Sequence, residues 1–306
     1  MKGEFCRVMT SDGLELQGLL VAPSAGPAAT TVIHVHGLSG NFYENRFVDD
    51  AAEAATGAGV NFLTVNTRGH EYISDFICRP PDGGAGAGSA GALTSRQIGG
   101  AFETFGDCLQ DIQAWVDFAK SRGAQRIVLQ GHSHGALKVT YYLSKTDDPA
   151  VAGIILLSPS DDFGIQRYRM GRRFDEILGI IKQMVDEGRG HDFILRDYYT
   201  YHVSAATYYD TFRPDSLLKI FNISLTDTHH FAALEGIKIP VLLIVGSVDE
   251  AFIGRSEEFI ADVRRRMKKA KDFTGHVLAE APHNYLGHER ELAGHLGVWL
   301  KSHFGG

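Results

Sequence analysis

Residues 130–137 read QGHSHGAL, a serine flanked by two histidines and bracketed by glycines. Two chemistries use such residues. Ser133 could be a nucleophile on a tight turn, or His132 and His134 could hold a metal ion. The surroundings favour the serine. An apolar run, RIVLQG, comes before it and a helical pattern, GALKVTYYL, comes after. Gly131, Ser133 and Gly135 thus form a G-x-S-x-G between a predicted strand and a predicted helix, the setting of a nucleophile elbow. Such a turn strains the serine backbone, and glycines two residues to either side give it room. The hydroxyl then projects above the sheet edge, and the N–H groups opening the helix face any negative charge that develops there.

A serine hydroxyl is a weak nucleophile at neutral pH, so it needs a base, and the base needs an orienting acid. On strand–elbow–helix sheets the chain order is Ser, then Asp or Glu, then His. Asp249 follows the apolar run PVLLIVGS, and His283 follows the weaker strand candidate HVLAEAP. Both stand at strand ends, where Ser133 also stands. Glu250 is the first competitor for the acid, and Asp161 and Asp162 come next. His276 and His288 compete with His283, but a place within or before the last strand and on the final helix suits structural roles.

An oxyanion needs two backbone donors. One is expected from His134, directly after the nucleophile, and the other from Leu38 in the loop HGLSG. Gly37 lets that loop approach the reaction centre, and His36 would brace it. Metal chemistry is the rival: His34 and His36 form a second H-x-H, and THH adds His229 and His230. Histidines two apart on a strand share a face. No further acidic or histidine partner follows at short spacing, however, and His132 and His134 on a turn would diverge, so no metal is expected.

These groups need a scaffold to position them. Short, β-branched apolar runs at 30–37, 60–69, 126–131, 151–159 and 240–247 suit parallel strands covered on both faces. Helical patterns lie between them, which predicts an α/β fold with a mostly parallel central sheet flanked by helices. Residues 4–23 suggest an antiparallel hairpin turning at SDG. Residues 161–236 break the rhythm with helical stretches and the aromatic cluster DYYTYHVSAATYYDTF. They are expected to form a helical cap inserted between late strands, with 1–160 and 237–306 as the core. Tyr198, Tyr199, Tyr201, Tyr208 and Tyr209 are candidates to line a substrate pocket or to pack within the cap, and His36, Tyr198, Tyr199 and Tyr208 are the substrate contacts expected first. Arg167, Arg169, Arg172 and Arg173 could attract an acidic group or could be a solvated helix face. The glycine-rich segment 80–100 is expected to be a surface loop, since it lacks the strand–loop–helix setting of a phosphate cradle.

A chain of 306 residues with a net charge of −7 and 44% hydrophobic content is an ordinary soluble composition. It does not suit a nucleic-acid or anionic-membrane surface, which needs clustered positive charge. The basic run 264–269 ends a helical pattern and is expected to be a solvated helix end. No membrane span, no secretory h-region and only three scattered cysteines point to a reduced, cytoplasmic protein.

Taken together, HVHGLSG, NTRGH, GHSHGA, VLLIVGSVDE and APHNY resemble the α/β-hydrolase superfamily in order and spacing, over nearly the whole chain. The block from ETFGD to VTYYL is similar to a subgroup related to fungal siderophore-ester hydrolases. The resemblance implies a cofactor-independent serine hydrolase, carboxylesterase-like, with Ser133, His283 and Asp249 as its triad. The expected partner is a small ester-type molecule. Serine at the elbow argues against the epoxide-hydrolase and dehalogenase branches, which use aspartate there. Amide, lactone, thioester and C–C cleavage remain open on the same triad, as does a non-catalytic small-molecule receptor. His134 departs from the family pattern, where leucine, methionine or glutamine is usual.

Overall fold

A computed structural model describes residues 2–78, 94–222 and 231–305. The hairpin expected at the start forms from β1 (Glu4–Met9) and β2 (Glu15–Val21), paired antiparallel. The apolar runs become β3 (Thr30–Val35) and β4 (Asn61–Val65), each buried at every position. A separate two-stranded ribbon follows, β5 (Ser74–Cys78) with β6 (Thr94–Ile98). β6 lies inside the 80–100 segment expected to be loop, so that expectation is corrected at its end. TSRQI has little apolar alternation, and its order comes from pairing with β5. The glycine-rich residues 82–92 lie outside the described residues.

The main sheet is completed by β7 (Arg126–His132), β8 (Val151–Leu157), β9 (Val241–Gly246) and β10 (Phe273–Leu278). Its order is β1-β2-β4-β3-β7-β8-β9-β10. Pairing is antiparallel from β1 to β4 and parallel from β4 to β10. Along β3 alternate residues serve opposite faces: Ile33 and Val35 join one buried cluster and Val32 the other. Helices α1 (Phe47–Gly57), α2 (Cys108–Ser121) and α3 (His134–Lys145) follow in chain order. α1 covers the Val32 face, while α2 and α3 cover the other.

Between β8 and β9 come α4 (Asp162–Met170), α5 (Arg173–Asp186), α6 (Ala205–Phe212) and the short α7 (Ala232–Glu235). α4 to α6 enclose a hydrophobic cluster of their own, including Phe163, Phe174, Ile181, Tyr208 and Phe212. α8 (Ser256–Arg266) and α9 (Glu289–Phe304) close the chain. α8 carries Arg264, Arg265 and Arg266 in its last turn, the favourable end of the helix dipole for cations. α9 packs with α1 on one face of the sheet. No helix among the described residues is long and apolar enough to cross a membrane.

A close backbone approach joins α3 to β3. A Cβ added to Gly135 would lie 2.2 Å from the Val35 carbonyl oxygen and 2.5 Å from that of His36. One added to Gly131 would lie 2.3 Å from the Gly135 carbonyl oxygen. Backbone atoms on both sides leave no room to yield. Gly135→Ala is therefore expected to destabilise the fold by about 1–3 kcal/mol, the usual cost of overpacking. Urea unfolding would register this as a lower midpoint, and an unchanged midpoint would show that the helix can back away from the strand.

Candidate active site

β7 ends at His132 and α3 begins at His134, so Ser133 is the whole of the turn between them. Its backbone sits at φ 55°, ψ −124°, a conformation that costs a non-glycine residue about 1–3 kcal/mol. The turn is fixed from two directions. The Ser133 N–H donates to the Leu157 carbonyl at 2.9 Å, and its carbonyl accepts from the Ala136 N–H at 3.0 Å. The G-x-S-x-G spacing thus forms a strained strand-to-helix turn.

Ser133 and His283 line one cavity of about 150 Å³. The His283 Nδ1 lies 2.9 Å from Asp249 Oδ1, and the Asp249 side chain is fully buried. The His283 loop is held by its backbone as well. Its carbonyl accepts from His132 Nε2 at 3.0 Å, and its N–H donates to Glu250 Oε2 at 3.3 Å. With Nδ1 engaged, Nε2 is the nitrogen left for chemistry. Among the described residues the Ser133 hydroxyl makes no hydrogen bond to the ring. Contacts between nucleophile and base are often long before substrate binds.

Electrostatics follow from burial and pairing. Burial opposes an ionised Asp249, but the hydrogen bond and charge of His283 outweigh it and hold the carboxyl below its usual range. Burial likewise opposes a charged His283, yet the Asp249 hydrogen bond and charge raise it above the ordinary imidazole value of 6.5. His132 has no carboxylate partner, and burial pushes it down to about 3. It is a neutral packing group, edge-on to Phe47 and 4.9 Å from the His283 ring.

The competing acids are placed elsewhere. Glu250 meets the His283 backbone, not its ring. Asp161 caps α4 by accepting from the Gly164 N–H at 2.8 Å. Asp162 accepts from Ser160 Oγ at 3.0 Å and lies 3.3 Å from His134 Nδ1. The imidazole of His134 therefore ties the elbow to the first residue of α4, while its other side meets Phe105 edge-on. His276 lies in β10 against His295, and His288 precedes α9 near Glu291.

Three of the expected substrate contacts do not line the Ser133 cavity. Tyr208 is fully buried in the cluster of α4 to α6, where its hydroxyl accepts from Gln166 at 3.1 Å. Tyr198 packs beside that cluster and does not line the Ser133 cavity. His36 is fully buried, with both ring nitrogens engaged by protein atoms. Tyr199 and Tyr201 do line the cavity, as does Arg169 of the four arginines considered. Tyr198, Tyr199 and Tyr201 stand on a non-helical stretch before α6, so helical spacing does not govern which of them faces the cavity.

Ser160, Gln166 and Thr200 also line it and were not singled out from the sequence. Ser160 follows β8, so its place at the end of a parallel strand was the available signal. The loop expected to supply a second amide does lie against the serine: a Cβ on Gly37 would stand 3.0 Å from Ser133 Cβ. His134 is the first residue of α3, where an N–H has no partner within its helix. Of the metal candidates, His34 Nδ1 contacts Gln130 at 2.8 Å and His36 is saturated, while His229 and His230 lie outside the described residues. Among the described residues no group of three or more His, Cys, Asp or Glu side chains is arranged to hold a metal ion.

This sheet order, with its elbow after β7, is the α/β-hydrolase fold. Residues 92–296 match a family model described as a protein of unknown function (DUF1749), and the chain belongs to that family. No curated protein matches the sequence. Among solved structures, the siderophore hydrolase EstB from Aspergillus fumigatus superposes with a TM-score of 0.70 at 13% identity, covering 100% of this chain and 98% of its own. Est1E from Butyrivibrio proteoclasticus with ferulic acid bound gives 0.64 at 19% identity, over 97% and 99%. A Pyrococcus furiosus esterase, Pf2001, gives 0.63 at 19%, over 99% and 92%. At these identities the likeness is one of fold.

The Asp249–His283 pair fixes the sign of a pH effect. In Asp249→Asn the charge that raises His283 is gone while its burial stays, so its pKa should fall below that of the wild type. Imidazole titration by NMR would follow it. A His283 that titrates alike in both proteins would show that the pair does not control its protonation.

Proposed function

We propose that this protein is a serine hydrolase acting on carboxylic esters of small to medium size, through an acyl-enzyme and without a cofactor. What carries the proposal is a strained Ser133 in one cavity with a histidine whose far nitrogen is bound to a buried carboxylate. Structural strain of this kind persists where the surroundings over-determine it, and it concentrates at reactive sites. The likeness in fold to esterases supports the same reading.

In this scheme Ser133 Oγ attacks the ester carbonyl and His283 Nε2 takes its proton. Asp249 orients the imidazole and stabilises its charged form. The amides of Leu38 and His134 hold the oxyanion. His283 then returns the proton to the leaving alcohol, and a water activated by the same nitrogen releases the acid. The helices between β8 and β9 act as a cap over the site. Tyr199 and Tyr201 from that segment, with Ser160 and Asp162 at its base, give the cavity a polar lining suited to oxygen-bearing substrates.

Three measurements test this. Ser133→Ala should lower hydrolysis of nitrophenyl esters by roughly 10⁴-fold or more with the fold intact, and near-wild-type turnover would refute the nucleophile. Asp249→Asn should cost about 10²- to 10⁴-fold, whereas Asp162→Asn should cost far less because Asp162 contacts His134 and not His283. The reverse ranking would move the acid to Asp162. For the wild type, kcat/KM should rise with pH through an apparent pKa above 6.5, because the base must be neutral and Asp249 raises its pKa.

A further inference from the structure

Behind the oxyanion loop lies a buried charged pair that the proposed reaction does not use. Lys138, one turn after Gly135 on α3, is fully buried, and its Nζ lies 2.6 Å from Glu103 Oε1, also buried. The same ammonium donates to Thr67 Oγ1 at 3.1 Å. That hydroxyl is 3.1 Å from His36 Nε2, and the Thr67 backbone N–H donates to the same nitrogen at 3.0 Å. A backbone N–H can only donate, so Nε2 carries no proton and the neutral ring is protonated at Nδ1. Nδ1 in turn donates to the Gly37 carbonyl at 2.7 Å, and the Gly40 N–H donates to that oxygen at 3.2 Å.

The Gly37 carbonyl and the Leu38 N–H belong to one peptide unit. In a planar trans peptide they point in opposite directions. Two donors that hold the carbonyl on one side therefore aim the Leu38 N–H to the other. We propose that Lys138 and Glu103, through Thr67 and His36, are positioning residues that orient the Leu38 amide toward the reacting oxygen at Ser133. The inference rests on the hydrolase reading given above.

Three observations support the role. First, α3 carries both ends of the device. Its first residue supplies one expected oxyanion donor, and Lys138, which starts the chain of contacts to the Leu38 peptide, stands on the same helix. Second, Thr67 is itself fixed, because the next residue, Arg68, is held by Asp111 through its backbone N–H at 2.8 Å and its guanidinium at 2.9 Å. Third, burial and the Lys138 charge both push His36 well below the ordinary imidazole value, which keeps it in the neutral form the relay requires. A buried ion pair is seldom needed for stability, since apolar side chains of similar size often replace one without loss. Its place here under the oxyanion loop fits orientation better than support.

The test uses the full chain and two variants. In Lys138→Met/Glu103→Leu the pair is replaced by apolar side chains, and in Thr67→Val the hydroxyl alone is removed. Steady-state and burst kinetics with nitrophenyl acetate are measured together with the ¹⁵N shifts of His36. Each variant should keep its far-UV dichroism and KM, lose about 10- to 100-fold in the acylation rate, as befits a misaimed oxyanion donor, and show a moved His36 Nε2 resonance with Nδ1 still protonated, because the Thr67 backbone N–H stays while the hydroxyl contact is lost or loosened. If the double variant does not fold, Thr67→Val decides alone. Wild-type acylation rates in a folded variant would overturn the inference while leaving the hydrolase reading intact. A wild-type protein that never acylates would overturn both.

Discussion

The close contact between the start of α3 and the end of β3 is the constraint on which the site depends. Only a glycine at position 135 lets the helix rest on the Val35 and His36 carbonyls, and only a glycine at 131 lets the chain turn beneath it. Ser133 is left as a single residue between strand and helix, in a conformation that its neighbours impose. The same contact sets Gly37 against the serine and puts beside it the amide of His134, which has no partner within its helix. Elbow, the loop at Gly37 and helix terminus are thus one packed unit.

Around that unit the polar groups divide by burial. Asp249 is buried and tied to a ring, so its charge is directed at one atom of His283. Asp162 is partly open and shared between Ser160 and His134, so it belongs to the cavity wall. The pair Lys138–Glu103 lies deeper and is buried on both sides. Three carboxylates therefore face three different partners: a histidine ring, the cavity wall and a buried ammonium.

The sequence made some of this legible because it was local. The spacing of Gly131, Ser133 and Gly135 encodes a turn within five residues, and its flanking apolar and helical patterns name the elements on either side. The parallel strands were legible for the same reason, since burial on both faces leaves continuous apolar runs. Asp249 could be ranked above Glu250 only by its place after β9, and the hydrogen bond to His283 spans 34 residues of chain. Tyr208 and Tyr198 could not be told from Tyr199 and Tyr201, because aromatic content does not say which face of a segment meets the cavity. β6 was missed because its residues carry no pattern apart from their partner β5. Lys138 reads as one polar residue in a helical stretch, and its partner Glu103 stands 35 residues earlier. Nothing in either segment announces that they meet.

The account turns on Ser133 being an activated nucleophile, and covalent capture tests that most directly. The wild-type protein is treated with a fluorophosphonate, digested, and mapped by mass spectrometry. One adduct per chain on the peptide that contains Ser133, formed much more slowly in His283→Ala, is the predicted result. No adduct, or one that forms at the same rate on Ser133→Ala, would contradict the account.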